Sequence, residues 1–416
     1  MRFRNLAAIF FIFVCTSAAW MILGGTIFVR TQTADGDLRG KVASTWGEPQ
    51  VQVTPGATYT IREMVPTTTV ENGREIVRYH QQRTNHPLDL EQSRVIANLA
   101  LDHRRKGLLW YATYKVGFWG AYRFRNPGPE SEITFRLPFP AAKAVYDGLV
   151  FRVDGRDLPV STAGGAATAK ASVAPGESAL LEVAYSSQGL DTWSYDLGGE
   201  VASVRDFHLK MTTDFGAIDF PDATLSPTWK QKTAKGWDLV WSYQSLVSGV
   251  RISMRMPERL QPGPLAGRIS YFAPVSLFFF FFVMLLITTL RGIELHPMNY
   301  FFLAAAFFAF HLLLAYLVDH IDIHAAFATA AAVSVFLVVS YLRLVVGLRF
   351  AAVEAAGAQM LYLVLLSYAF FFKGFTGLAV TIGAILTLFV AMQLTGRIRW
   401  GGGLPRPAQF AGGVGC

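Results

Sequence analysis

The chain reads as a polytopic α-helical membrane protein carrying a large extracytoplasmic all-β, sandwich-like domain. It has one N-terminal transmembrane helix and a C-terminal five-helix bundle. Three observations predict this. Five closely spaced apolar segments fill Ile269 to Ile398, and a sixth opens the chain. Between them lies a polar, strand-patterned stretch of roughly 240 residues, the size of one large or two small domains. Hydrophobic residues make up 52% of the 416 positions, including 33 Phe, more than an ordinary soluble protein carries.

The first segment, Leu6 to Val29, follows Arg2 and Arg4. Its apolar character continues past Ser17-Ala18-Ala19 through Trp20-Met21-Ile22-Leu23, longer than the roughly 7–15 apolar residues of a signal peptide. Residues 1–29 are therefore expected to be an uncleaved anchor. Cys15 lies inside this segment and Cys416 ends the chain, so neither a disulfide framework nor a CxxC site is present.

The bundle, residues 269–398, divides into Ser270–Leu290, Met298–Val318, His324–Val346, Ala352–Phe372 and Thr376–Thr395. Each has about the twenty residues a helix needs to cross hydrocarbon. An N-terminus inside places Arg2, Arg4, Arg291, Arg343, Arg349, Arg397, Arg399 and Arg406 on the cytoplasmic side. The short outer loops then hold Lys373, Asp319 and Asp322, as the positive-inside rule requires. Both termini are expected in the cytoplasm. Residues 399–416 are Gly-rich and expected to be a disordered tail.

Residues 30–268 form the outer domain, as one lobe or two. Val51–Val53, Trp110–Val116, Ile133–Leu137, Leu180–Tyr185, Phe207–Met211 and Leu239–Tyr243 read as strands. Glu71-Asn72-Gly73, Asn126-Pro127-Gly128, Val153-Asp154-Gly155 and Lys235-Gly236 read as turns. Short punctuated strands predict an antiparallel sandwich. Ala163–Ala171 is expected to be a loop or lobe boundary, and Pro257–Gly267 a stiff connector. The aromatics Trp110, Phe118, Trp119, Trp193, Trp229, Trp237 and Trp241 are expected to fill the core rather than to stack on sugars.

One stretch carries a family likeness. Arg291-Gly292-Ile293-Glu294-Leu295-His296-Pro297-Met298-Asn299-Tyr300 is a charged turn opening a helix. It is followed by His311-Leu312-Leu313-Leu314-Ala315-Tyr316, Asp319-His320, Tyr341-Leu342 and a basic-aromatic ending, Arg397-Ile398-Arg399-Trp400. These residues resemble the inner membrane protein CreD family. Arg105-Lys106-Gly107-Leu108, then Tyr114-Lys115-Val116 and Gly120, is similar to that family's Arg-rich, Gly-aromatic segment. The resemblance implies a bacterial inner-membrane protein with a role in envelope stress and the β-lactam response, often beside a two-component regulator, with no enzymatic reaction, catalytic residue or cofactor.

Candidate sites are few. His311 lies inside the third apolar segment, where an ionisable group faces protein or water rather than lipid, and Gln359 in the fifth is its candidate hydrogen-bond partner. Together they make a structural bond between helices or the lining of a transport path. The outer loop Asp319, His320, Asp322 and His324 has metal-ligating side chain types but reads as a solvated acidic loop. His296-Pro297 reads as a helix start, and Arg291 and Glu294 as an exposed pair. The only local hints of chemistry in the outer domain are Asp102-His103 and Asp206-Phe207-His208. P-loop, HExxH and GxSxG signatures are absent, so no metal, cofactor or catalytic residue is assigned. The net charge of +8 has no dense basic stripe, which excludes nucleic acid. The expected partners are the bilayer and an envelope protein or cell-wall ligand of the outer domain, and a homo-oligomer is compatible with these features. The function expected is non-enzymatic sensing or binding in the envelope, with small-molecule or ion transport as the alternative.

Overall fold

The computed structural model describes residues 3–71, 74–128, 131–198, 202–372 and 374–396. The expected tail at 399–416, Lys373, and Asn72-Gly73 of the first turn lie outside these residues. The chain divides into two units, Met1–Thr33 with Gln261–Cys416, and Ala34–Leu260.

Among the described residues, six helices are long and apolar enough to cross a membrane. They are α1 (Phe3–Trp46), α2 (Pro262–Arg291), α3 (Pro297–Leu317), α4 (Ile323–Val345), α5 (Phe350–Phe371) and α6 (Thr376–Thr395). Helix α1 does not stop near Val29 but runs 44 residues, from Phe3 to Trp46. Ala34, Leu38, Val42 and Trp46 recur every fourth residue and form one apolar stripe. The helix ends at Gly47, whose N–H reaches the Ala43 carbonyl at 3.0 Å. At φ +135, a Cβ on Gly47 would stand 2.3 Å from the Gln188 carbonyl oxygen, so only glycine fits.

Helix α2 begins within the stretch expected to be a connector, because Pro262 and Pro264 suit a first turn, where backbone N–H groups have no helical partner. It ends at Gly292 in the left-handed region, with the Gly292 and Ile293 N–H groups closing on Thr289 and Thr288 carbonyls. His296 caps α3, accepting from the Met298 N–H at 3.2 Å, and Pro297 follows at the first helical position. Asp322 caps α4 through the N–H groups of His324 and Ala325. Helix α5 is irregular, with π-helical turns at Phe350–Ala355 and Met360–Leu365 flanking Gln359.

The second unit is β-rich. In chain order its strands are β1 (Gln50–Val53), β2 (Gly56–Glu71), β3 (Arg74–Pro87), β4 (Asp89–Leu101), β5 (Arg104–Lys106), β6 (Leu109–Tyr111), β7 (Thr113–Arg125), β8 (Ser131–Pro138) and β9 (Tyr146–Val153). They continue with β10 (Arg156–Asp157), β11 (Ala166–Val173), β12 (Ser178–Leu190), β13 (Thr192–Asp196), β14 (Ala202–Thr213), β15 (Trp229–Lys232), β16 (Trp237–Ser248) and β17 (Ile252–Arg255). The largest sheet has eight strands in the order β10-β9-β12-β7-β4-β14-β16-β15. The others are β11-β8-β2-β3, β1-β13-β17 and the hairpin β5-β6.

This differs from the antiparallel sandwich expected. Strands β4 and β14 pair in parallel, as do β1 and β13. Parallel neighbours need long crossovers, and each of these pairs is separated by about a hundred residues of chain or more. The expected loop at Ala163–Ala171 is a strand from Ala166 onward, paired residue by residue with β8. Its alanines carry no β signature, but Ala167, Ala169 and Val173 face the core. Trp110–Val116, expected as one strand, breaks at Ala112 between β6 and β7.

The core lies between sheets. Val95, Ala97 and Leu99 of β4 alternate with more exposed neighbours, as do Ala179, Leu181, Val183 and Tyr185 of β12. Phe124 of β7 meets Phe135 of β8 edge-on at 6.0 Å, joining the largest sheet to the four-stranded one. Phe118 and Trp193, 6.5 Å apart, do the same for the three-stranded sheet. Each such side chain contributes about 1.5–3 kcal/mol when fully buried. Of the aromatics expected inside, Phe118, Trp193 and Trp241 are buried, whereas Trp119 and Trp229 are exposed.

Candidate functional site

Helix α3 places His311 wholly inside the helical unit. Its Nδ1–H donates to the Phe307 carbonyl one turn back at 2.8 Å, and its Nε2 is buried with no partner. Trp20 of α1 packs edge-on against the imidazole, ring centres 5.3 Å apart, and against Phe308 at 6.1 Å. The Trp20 Nε1–H is likewise buried and without a partner. A donor and an acceptor, both desolvated, therefore sit on neighbouring rings in an apolar surround, where each unpaired group costs of order 1–3 kcal/mol.

Gln359 is also fully buried, but it does not bond His311 as expected. Its Nε2 donates to Ser334 Oγ of α4 at 2.8 Å, and Ser334 Oγ donates to the Ala306 carbonyl of α3 at 2.6 Å. This relay ties three helices together, and it leaves Gln359 Oε1 without a partner. The bond replaces the expected one because Ser334 lies between Gln359 and the α3 backbone. Neither Trp20 nor Ser334 was legible as part of a polar site: each is one residue within a long apolar run.

At the other end of α3 the family-like residues meet. Asn299 Oδ1 accepts from the Tyr341 hydroxyl at 2.7 Å, joining the start of α3 to the end of α4. Arg291 pairs not with Glu294 but with Glu354 of α5, at 2.6 Å. The π turn at Phe350–Ala355 carries Glu354 into a nearly enclosed position, 15% exposed, with Oε2 unpartnered. A carboxylate within an apolar segment was the available signal for it.

The outer-loop residues are placed for capping and pairing. Asp319 bonds Arg30 of α1 at 3.2 Å, Asp322 caps α4, and His324 lies against Phe371 at 4.9 Å. The His320 N–H closes on the Leu317 carbonyl. Among the described residues, no three His, Cys, Asp or Glu side chains are grouped to hold a metal ion.

In the β unit, the two hints of chemistry stay apart. Asp102 bonds Arg104 at 3.2 Å, and His103 Nε2 meets the Pro257 carbonyl at 2.7 Å. Asp206 bonds Arg94 at 2.8 Å, and burial, then Arg94, push the His208 imidazole down in pKa. His208 pairs with Arg94 midway along β4 and Asp102 follows its end, about 27 Å along the strand. The α1 stripe instead packs on the β5–β6 hairpin, with Val42, Leu109, Tyr111 and Leu190 buried together. Beside it Arg39 bonds Asp191, whose carboxyl is raised by burial while Arg39 opposes that rise. Burial and the Asp35 carboxylate push the Tyr111 hydroxyl up to about 12. Arg104 lies over the Trp46 ring at 3.4 Å and Arg259 over Trp110 at 4.4 Å.

The family model described as inner membrane protein CreD matches residues 230–401, which bears out the resemblance read from the sequence. No curated protein matches the chain. Among solved structures, a Legionella pneumophila protein described as nutrient binding is 11% identical, covering 47% of this chain and 73% of its own, with a TM-score of 0.31. An M1 zinc metallopeptidase from Deinococcus radiodurans is 10% identical, covering 74% of this chain and 90% of its own, at a TM-score of 0.28.

Proposed function

We propose that this CreD-like inner-membrane protein is a non-enzymatic envelope component acting in the response to envelope stress or β-lactams. Its β unit lies outside the cytoplasmic membrane and binds an envelope protein or cell-wall ligand. Both termini are cytoplasmic. The observation that supports this reading is the match of residues 230–401 to the family model described as inner membrane protein CreD, together with the six described helices long and apolar enough to cross a membrane.

The test is survival of a deletion strain under β-lactam and detergent challenge. It is complemented at equal membrane levels by wild type and by His311→Leu. Both are expected to rescue, and a deletion without any envelope phenotype sinks the role itself.

A second reading is transport along a path lined by His311 and Gln359. It is favoured by their buried atoms without partners, Nε2 and Oε1. It requires His311→Leu to fail where wild type rescues.

A further inference from the structure

Strands β2 and β3 run on past the sheet in which they start. Strand β8 pairs with β2 only from Gly56 to Tyr59, whereas β2 and β3 stay in register from Thr58↔Pro87 to Glu71↔Arg74. From Thr60 onward, among the described residues, they form a two-stranded ribbon with no third strand beside it. A ribbon of that kind is marginally stable by itself in water, and a further strand along one edge is the usual remedy.

The two edges of the ribbon are not alike. The Leu88 N–H donates to the Ala57 carbonyl at 2.9 Å, which places Ala57 and Leu88 among the hydrogen-bonded pairs of this ladder. Antiparallel pairs alternate, so Pro66↔Tyr79 falls in the non-hydrogen-bonded class. Proline fits there because its missing N–H would point away from β3, and it interrupts the outer edge of β2. The same alternation turns the backbone N–H and C=O groups of Glu75, Val77, Tyr79 and Gln81 away from β2, along the outer edge of β3. No proline stands on β3 between Arg74 and His86. One edge is thus blocked, as natural sheets block them, and the other is left open. Val77 and Tyr79 of β3 and Met64 of β2, each at least half exposed, share one face beside the open edge.

A second copy of this chain fits that edge. Two identical strands running antiparallel satisfy each other about a twofold axis, because each offers the other the same alternation of donors and acceptors. An axis at position 78 sets Val77 of one copy opposite Tyr79 of the other, twice over, and aromatic with β-branched is a favourable cross-strand pair. Glu75 then faces Gln81 at both ends. We propose that two copies of the chain pair β3 to β3 in this way, so that their ribbons join into one four-stranded sheet.

The experiment uses the full chain in detergent micelles. Light scattering over a dilution series measures the dimer, and a nitroxide on Gln81→Cys or Arg83→Cys, in a Cys15→Ser, Cys416→Ser background, gives dipolar distances. A dimer is expected, with labels about 20 Å apart at position 81 and about 34 Å apart at position 83, since each residue from the axis adds about 3.4 Å in each copy. Gln81→Pro removes one edge N–H from each copy and spares the β2–β3 bonds, because position 81 is a non-hydrogen-bonded one. With each lost bond worth about fivefold, it should weaken the dimer about 25-fold. A monomeric full chain overturns the proposal, and a monomer that retains an extended peptide gives the edge to another protein. A dimer whose label distances do not climb by about 14 Å between positions 81 and 83 overturns it too, even where Gln81→Pro fails to accumulate. So does a dimer that Gln81→Pro leaves as tight as wild type.

Discussion

Ser334→Ala tests whether the buried relay in the helical unit is a fastening between helices. Ser334 Oγ accepts from Gln359 Nε2–H at 2.8 Å and donates its own O–H to the Ala306 carbonyl at 2.6 Å, with both side chains fully buried. Alanine removes the acceptor and leaves the whole Gln359 amide unpaired, because Oε1 already has no partner. A buried polar group stranded in this way costs about 1–3 kcal/mol. Interhelical bonds in membranes average about 0.6 kcal/mol, so a loss of about 1–2 kcal/mol is expected. Gln359→Leu behaves differently. It removes the stranded amide altogether and leaves Ser334 bonded to Ala306, so its cost should stay within about 0.5 kcal/mol. The double variant should then be more stable than Ser334→Ala alone, giving a coupling of about 1 kcal/mol in the cycle. Unfolding of the full chain in mixed micelles, titrated with a denaturing detergent, measures all four corners. Additive single effects, or a Ser334→Ala variant indistinguishable from wild type, would refute the relay as an energetic link.

Three other outcomes are expected. Arg291→Ala leaves the Glu354 carboxylate nearly enclosed and unpaired and should cost about 3 kcal/mol in the same titration, with Glu354→Gln restoring part of the loss. Gly47→Ala forces a Cβ against the Gln188 carbonyl at φ +135, and a lower thermal midpoint of about 1–3 kcal/mol equivalent is expected; an unchanged midpoint refutes the steric reasoning. Burial raises the Asp191 carboxyl against the opposing pull of Arg39, so the folded chain holds that proton more tightly than the unfolded one. Asp191 therefore makes stability fall as pH rises from the ordinary carboxylate value through its raised one, and thermal unfolding of Asp191→Asn across that window should lack this component.

The long periods of the chain were legible before any tertiary information. Runs of twenty apolar residues have no other stable use than burial in lipid or protein, and Gly292, Pro297 and Asp322 mark helix ends by backbone chemistry that acts locally. The strands Ile133–Leu137, Leu180–Tyr185 and Phe207–Met211 were visible for the same reason, since alternation is a property of one segment. Helix α1 was half legible. Its Ala34, Leu38, Val42 and Trp46 stripe has helical spacing, but it lies beyond Val29, where the apolar run of the first segment ends. Only the hairpin packed on that stripe makes the helix worth forming.

What the sequence by itself determined is the division into apolar helices and a β-rich region, together with the family likeness, because periodicity and composition are carried by consecutive residues. The tertiary structure decided which polar groups meet. Gln359 goes to Ser334 rather than His311, Arg291 to Glu354 rather than Glu294, and Trp20 comes to lie on His311. It also decided that β4 and β14 run parallel. These choices depend on which helix faces and strand edges approach across tens or hundreds of residues. A hydrogen bond or ion pair effective over about 3 Å leaves no periodic trace in the chain that forms it.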